Sequence, residues 1–156
     1  MKTTNKFVSV FLVIFIMVSL VSCHKDTTRL GKIIDASDIV TIEVSYSRFD
    51  AVIYALDGSS KDRFFMLVLS NKHVTDDETR ISDLKETIGT GEELILITLG
   101  KSTGKDIIVF ISKATGEFLV AEVTVDESTL SKTYEYICAS VEGEHISIDS
   151  LKRFCH

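Results

Sequence analysis

The chain contains no proline. Native cis-proline therefore cannot limit its folding. It also has no internal repeat, no low-complexity tract and no stretch with the composition of a linker. Positive charge is scarce, with 17 Lys and Arg against 23 Asp and Glu, a net charge of −6 with His neutral. Nucleic acids and anionic membrane surfaces are recognised by local positive charge, so the overall balance disfavours both and excludes nucleic acid as the expected partner. Cysteine is rare too, at three residues.

Several chemical signatures are missing. Gly100-Lys101-Ser102-Thr103-Gly104-Lys105 has the composition of a phosphate-binding loop. That loop needs a glycine five residues before the Gly-Lys-Ser/Thr step, and Ile95 stands there; Gly104-Lys105 is followed by Asp106. No Gly-x-Ser-x-Gly elbow occurs. His24, His73, His145 and His156 lack the spacing of paired metal ligands. Asp76-Asp77-Glu78 is explained by a helix dipole better than by a divalent cation. The sequence thus nominates no catalytic residue, no metal site and no cofactor.

Only one long hydrophobic run is present. Lys2 and Lys6 precede the uncharged stretch Phe7 to Val21, which is 15 residues long. That is shorter than the ~20 residues a spanning helix needs. Small Ser22 and then Cys23 follow. A charged start, an apolar centre and a small-residue break make an export signal. The four residues Leu20-Val21-Ser22-Cys23 resemble the lipobox of bacterial lipoproteins, a resemblance confined to the leader and Cys23. It implies a thioether-linked diacylglycerol on Cys23, cleavage before it, and acylation of the new amino group. Several acyl chains would hold the protein stably on a bilayer of the cell envelope. In the lipoproteins it resembles, aspartate after the cysteine favours retention at the inner membrane. His24 takes that place here, which points toward the outer membrane.

Residues 1–22 are therefore read as signal peptide, 23–29 as lipidated tether and 30–156 as one globular domain. Cleavage leaves 134 residues, enough for a core without metals. The leader holds two of the basic residues and no acidic one, so 15 basic face 23 acidic side chains, a net charge of −8. Export places Cys138 and Cys155 in an oxidising space, and a disulfide between them is expected. Closing a loop of roughly 15 residues contributes about 3 kcal/mol in the chain-entropy view. The competing reading is a catalytic thiol served by His145 or His156, which lacks any local signature.

Hydrophobic periodicity predicts an α+β domain: a mainly antiparallel sheet of six or seven strands with one main helix packed on it. Leu30, Ile33 and Ile34 suggest a helical turn. Strands are predicted at 39–46, 51–56, 63–70, 94–99, 106–112, 117–125 and 134–141, with a short one at 145–148. Asp57-Gly58-Ser59-Ser60 reads as a turn. The helix is predicted over 76–88, capped by Thr75 in a box with Glu78, and a terminal helical turn over 149–154. On the strand at 134–141, alternation places Tyr134, Tyr136, Cys138 and Ser140 on one face. Lys101 and Lys105, at a hairpin tip, and Tyr134 and Tyr136 are candidate partner contacts.

The expected function is a non-enzymatic, membrane-anchored binding lipoprotein that meets a protein partner, of inhibitor or immunity type. A structural or assembly factor of an envelope complex is the first alternative, and a small envelope hydrolase the second.

Overall fold

The computed structural model describes residues 26–46, 52–89 and 93–154. The expected signal peptide, Cys23 and Cys155, and with Cys155 the expected disulfide, lie outside the described residues. Among the described residues, eight strands form one antiparallel sheet: β1 (Thr28–Arg29), β2 (Ile39–Tyr46), β3 (Val52–Leu56), β4 (His73–Thr75), β5 (Leu94–Lys101), β6 (Asp106–Ser112), β7 (Phe118–Val125) and β8 (Lys132–Ser140). Their order is β1-β4-β8-β7-β6-β5-β2-β3. Four α-helices accompany them: α1 (Leu30–Ile33), α2 (Gly58–Phe64), α3 (Glu78–Gly89) and α4 (Ile148–Lys152). The fold class is α+β, with more strands than expected and a second layer of helices.

The meander β5 to β8 follows from alternation. Ile95, Ile97 and Leu99 on β5, Ile107, Val109 and Ile111 on β6, and Phe118 and Val120 on β7 all project to one face and are buried there. This is the thick face. Leu30 and Ile34 around α1, the α2 segment, and Leu151 of α4 cover it in one cluster. The opposite, open face has a smaller cluster, in which Leu84 and Ile88 of α3 pack on Leu94, Leu119 and Ala139.

Residues 63–70 correct the expected central strand. Gly58–Phe64 is α-helical and Phe65–Leu69 continues it as a π-helical turn, closed by Ser70 N donating to Phe65 O at 2.9 Å. The expected turn at 57–60 is the start of this helix. Phe64, Phe65, Val68 and Leu69 are buried, whereas Met66 and Leu67 are 55% and 65% exposed. Alternation would have put Met66 inside with Phe64. A continuous apolar run carries no period of its own, so tertiary burial decided between helix and strand.

The thin edge holds further corrections. Thr28 and Arg29, read as tether, pair with Val74 and His73 of β4. Residues 145–148 form no strand; there Ile146 N donates to Gly116 O at 2.8 Å. The α3 cap is Asp77, whose Oδ1 accepts from Thr79 N and Arg80 N at 2.9 and 3.4 Å. Thr75 is the last residue of β4, and its hydroxyl accepts from Asp77 N at 3.2 Å.

Candidate functional site

The four nominated contact residues do not share a surface. Lys101 ends β5, where its N–H donates to Asp106 Oδ1 at 3.0 Å. Lys105 is committed to two carboxylates, Glu135 at 3.1 Å and Glu122 at 3.5 Å. Those two glutamates lie directly opposite each other on β8 and β7, so the ammonium offsets a like-charge pair. The hydrogen bond to Glu135 and the two carboxylate charges hold the Lys105 pKa above its ordinary value. Glu122 shares the thick side of β7 with Val120, so Lys105 is turned away from Tyr134 and Tyr136.

The tyrosines occupy the open face, and a β-bulge puts them there. Val120 pairs with Cys138 but Ala121 pairs with Tyr136, so Ile137 is an extra residue in β8. The bulge reverses the alternation. Tyr134 and Tyr136 project to the open side, while Cys138 projects into the core of the thick side. The expected common face of Tyr134, Tyr136, Cys138 and Ser140 is therefore broken between 136 and 138.

Phe110 of β6 completes an aromatic strip. Its ring meets Tyr134 edge-on, with centroids 5.3 Å apart, and Tyr136 at 6.0 Å and a tilt of 43°. Between them lies the small, fully buried Ala121. Lys85 of α3 places its ammonium 5.2 Å from the centre of the Tyr136 ring, a cation–π contact. Burial pushes the Tyr136 hydroxyl above its usual pKa, with the neighbouring Tyr134 adding to it.

Beyond Tyr134 the same side of the β7–β8 hairpin carries Val125, which is 50% exposed. The turn then presents Leu130, 79% exposed and held at φ +55°. A left-handed backbone costs a non-glycine residue roughly 1–2 kcal/mol. The turn sustains it with Leu130 N donating to Asp126 O at 2.7 Å and Asp126 N to Ser131 O at 2.9 Å. The Asp126 carboxylate also accepts from Ser128 Oγ and N at 2.6 and 2.8 Å. Leu130, Val125, Tyr134, Phe110 and Tyr136 thus follow one another along the open face. Periodicity missed Phe110 as a contact residue, because it reads as core. Leu130 was visible in the sequence as a single apolar residue inside the polar run Asp126 to Lys132.

The groups suited to catalysis are placed otherwise. Among the described residues Cys138 is bonded to no other cysteine; it is 1% exposed, and burial followed by the charge of Asp76 pushes its thiol pKa up to about 12. A thiol so held supplies no thiolate at neutral pH. His145 is exposed, its Nδ1 3.3 Å from Gly143 O. Among the described residues, no group of three or more His, Cys, Asp or Glu is arranged to hold a metal ion. The grooves around Leu67, Thr79 and Ile33 are lined by none of the residues of the aromatic strip.

One carboxylate ties the thin edge together. Glu144 accepts from Lys72 Nζ at 3.2 Å, from His73 N at 3.3 Å and pairs with His73 Nδ1 at 3.2 Å. Burial raises its pKa, but the bonds from His73 and Lys72 outweigh that and hold it below the ordinary value. A carboxylate with a depressed folded pKa contributes stability above its unfolded pKa. That contribution is lost as pH falls through the folded value. Acidification from pH 7 to below the ordinary glutamate value of 4.5 is therefore expected to lower the melting temperature more in the native protein than in Glu144→Gln. Equal acid dependence in calorimetric scans would remove Glu144 from this role.

Comparison with protein-family models, with curated proteins and with solved structures finds no match to this chain.

Proposed function

We propose that the chain is a lipid-anchored, non-enzymatic protein-binding module of the bacterial envelope, of inhibitor or immunity type, with Cys23 as its anchor. The observation that carries the binding role is the exposed apolar row on the open face, from Leu130 through Val125 and Tyr134 to Tyr136. Exposed apolar rows with aromatic anchors suit a protein partner, whereas a small substrate needs a concave site. Lys85 of α3 and Lys132, which pairs with Val125, would supply part of a polar rim. The strained conformation of Leu130 fits the same reading, because strain kept at an exposed apolar tip is tolerated where the tip is used.

The test separates binding from folding. A photo-reactive amino acid at position 125 of the full chain, in the producing cell, is expected to give one discrete protein adduct. Leu130→Gly removes the contact and relieves the left-handed strain, so its stability should stay within about 1 kcal/mol of the native protein. Its adduct should fall about tenfold, the size of a 1.4 kcal/mol contact. Tyr134→Ala should behave likewise. An unchanged adduct yield in both variants, or no discrete adduct from position 125, would count against the binding role.

A further inference from the structure

On the side of the molecule opposite the aromatic strip, α2 and α4 form the outer layer over the thick face. Phe154 packs edge-on against Phe64 at 5.3 Å, bringing the two helices together. Between them runs a groove of about 350 Å³ lined by Arg63, Leu67, Val68, Ser150, Arg153 and Phe154. Its floor is apolar and two guanidinium groups stand on its rim. Neither Arg63 nor Arg153 has an ion pair among the described residues. Leu67, which lines it, and Met66 are the two exposed residues of the π-helical turn.

The charge of this layer is opposite to that of the domain. Residues 58–69 and 148–154 carry four basic side chains, Lys61, Arg63, Lys152 and Arg153, against Asp62 and Asp149. Overall charge disfavoured an anionic surface as a partner; this local excess reverses the argument for one face.

Chain length places this layer near the expected anchor. Three residues from Cys23 to Asp26 span at most about 10 Å. Asp26 shares a cavity with the half-exposed Ile33, Thr28 and Ile137, on the thick side of β1, β4 and β8. From there α1 leans on the end of the π-helical turn. Gly31 N donates to Ser70 O at 2.9 Å, and a Cβ on Gly31 would lie 2.9 Å from Ser70 Cβ. Ser70 Oγ in turn donates to Met66 O at 2.9 Å. The first described residues thus lie at the sheet edge, with α1 between them and the π-helical turn and Thr27 also bordering α3.

We infer that the α2–α4 layer docks on an anionic phospholipid bilayer, with Met66 and Leu67 in the interface and Arg63 and Arg153 holding lipid phosphates at the groove. Apolar side chains flanked by arginine gain from both the headgroup charge and the acyl boundary. The inference rests on the lipid-anchor reading of Cys23. It turns the aromatic strip away from the membrane, toward a protein partner.

The native, full-length lipoprotein is reconstituted into phosphatidylethanolamine–phosphatidylglycerol vesicles that carry a fraction of bromine-labelled acyl chains. A fluorescent amino acid is placed at position 67 or, for comparison, at position 130. Both positions are solvent-facing and apolar, but only the first lies on the proposed face. Several-fold stronger quenching at 67 than at 130 is expected. Arg63→Glu with Arg153→Glu should reduce that quenching while the chain stays with the vesicles. A vesicle-bound chain with equal quenching at both positions overturns the docking and leaves the anchor standing; the face would then be free for a protein. A chain that never associates with vesicles overturns both.

Discussion

Phe64→Ala is expected to destabilise the protein by about 3–5 kcal/mol, the range for removing a fully buried phenyl ring. Phe64 is 0% exposed and meets Phe154 edge-on, so the substitution leaves a cavity between α2, α4 and the sheet. Domains are stable by only about 5–15 kcal/mol, so the variant should lose a large share of its margin and melt well below the native protein. Neighbouring positions sharpen the test, because they distinguish a helix from a strand. The helix buries Phe64, Phe65, Val68 and Leu69. Phe65→Ala should therefore cost nearly as much as Phe64→Ala, and Met66→Ala should stay within about 0.5 kcal/mol. A central strand, buried on both faces, would instead make Met66→Ala cost as much as its neighbours. Denaturant unfolding of the three variants settles the matter, and a harmless Phe65→Ala would overturn the helical assignment.

Gly116→Val carries the second large effect. Gly116 follows the β6–β7 turn at φ +75°, and a Cβ there would sit 2.8 Å from Ile146 O and 3.2 Å from His145 Cβ. The backbone of Gly116 is also used twice: its N–H donates to Ser112 O and its carbonyl accepts from Ile146 N, both at 2.8 Å. A β-branched residue is strained in the left-handed conformation and also pushes the 145–147 segment off the hairpin. Together these should cost about 2–5 kcal/mol. Gly143→Ala is the control, since Gly143 has a positive φ of 81° but a Cβ there would meet nothing within 4 Å. It should lose only the conformational part. Similar melting temperatures for the two variants would show that the contact with Ile146 is unimportant.

The sheet was legible where side chains alternate. β2 buries Ile42 and Val44 and exposes Thr41 and Glu43, and β5 to β8 fall within a few residues of the predicted limits. Three features were not legible, each for its own reason. The run Phe64 to Leu69 is apolar throughout, and its helical state depends on which residues meet the sheet. β4 is three residues long and pairs with β8 far along the chain, Val74 meeting Ser140, a partner no local pattern can indicate. The bulge at Ile137 leaves no trace in composition, yet it decides that Tyr136 and Cys138 face opposite ways. The same bulge explains why the candidate surface was only half visible. Tyr134 and Tyr136 could be named from residue type, but Phe110 joins them only through the pairing of β6, β7 and β8.

The strand order has a consequence for how such a chain matures. Both rims of the sheet, β1 and β3, come early in the chain, while the strands β4 to β8 that stand between β1 and β2 come later. β2 needs β5 beside it, and β1 reaches the sheet only through β4, which needs β8. A chain synthesised from its amino terminus therefore presents Ile42, Val44, Phe64 and Phe65 to water before their covering strands have been made. The edge formed by β1 and β4 cannot join the sheet until Ser140 has been made. The early half thus keeps apolar surface open during folding, and the last-made hairpin is the latch that closes it.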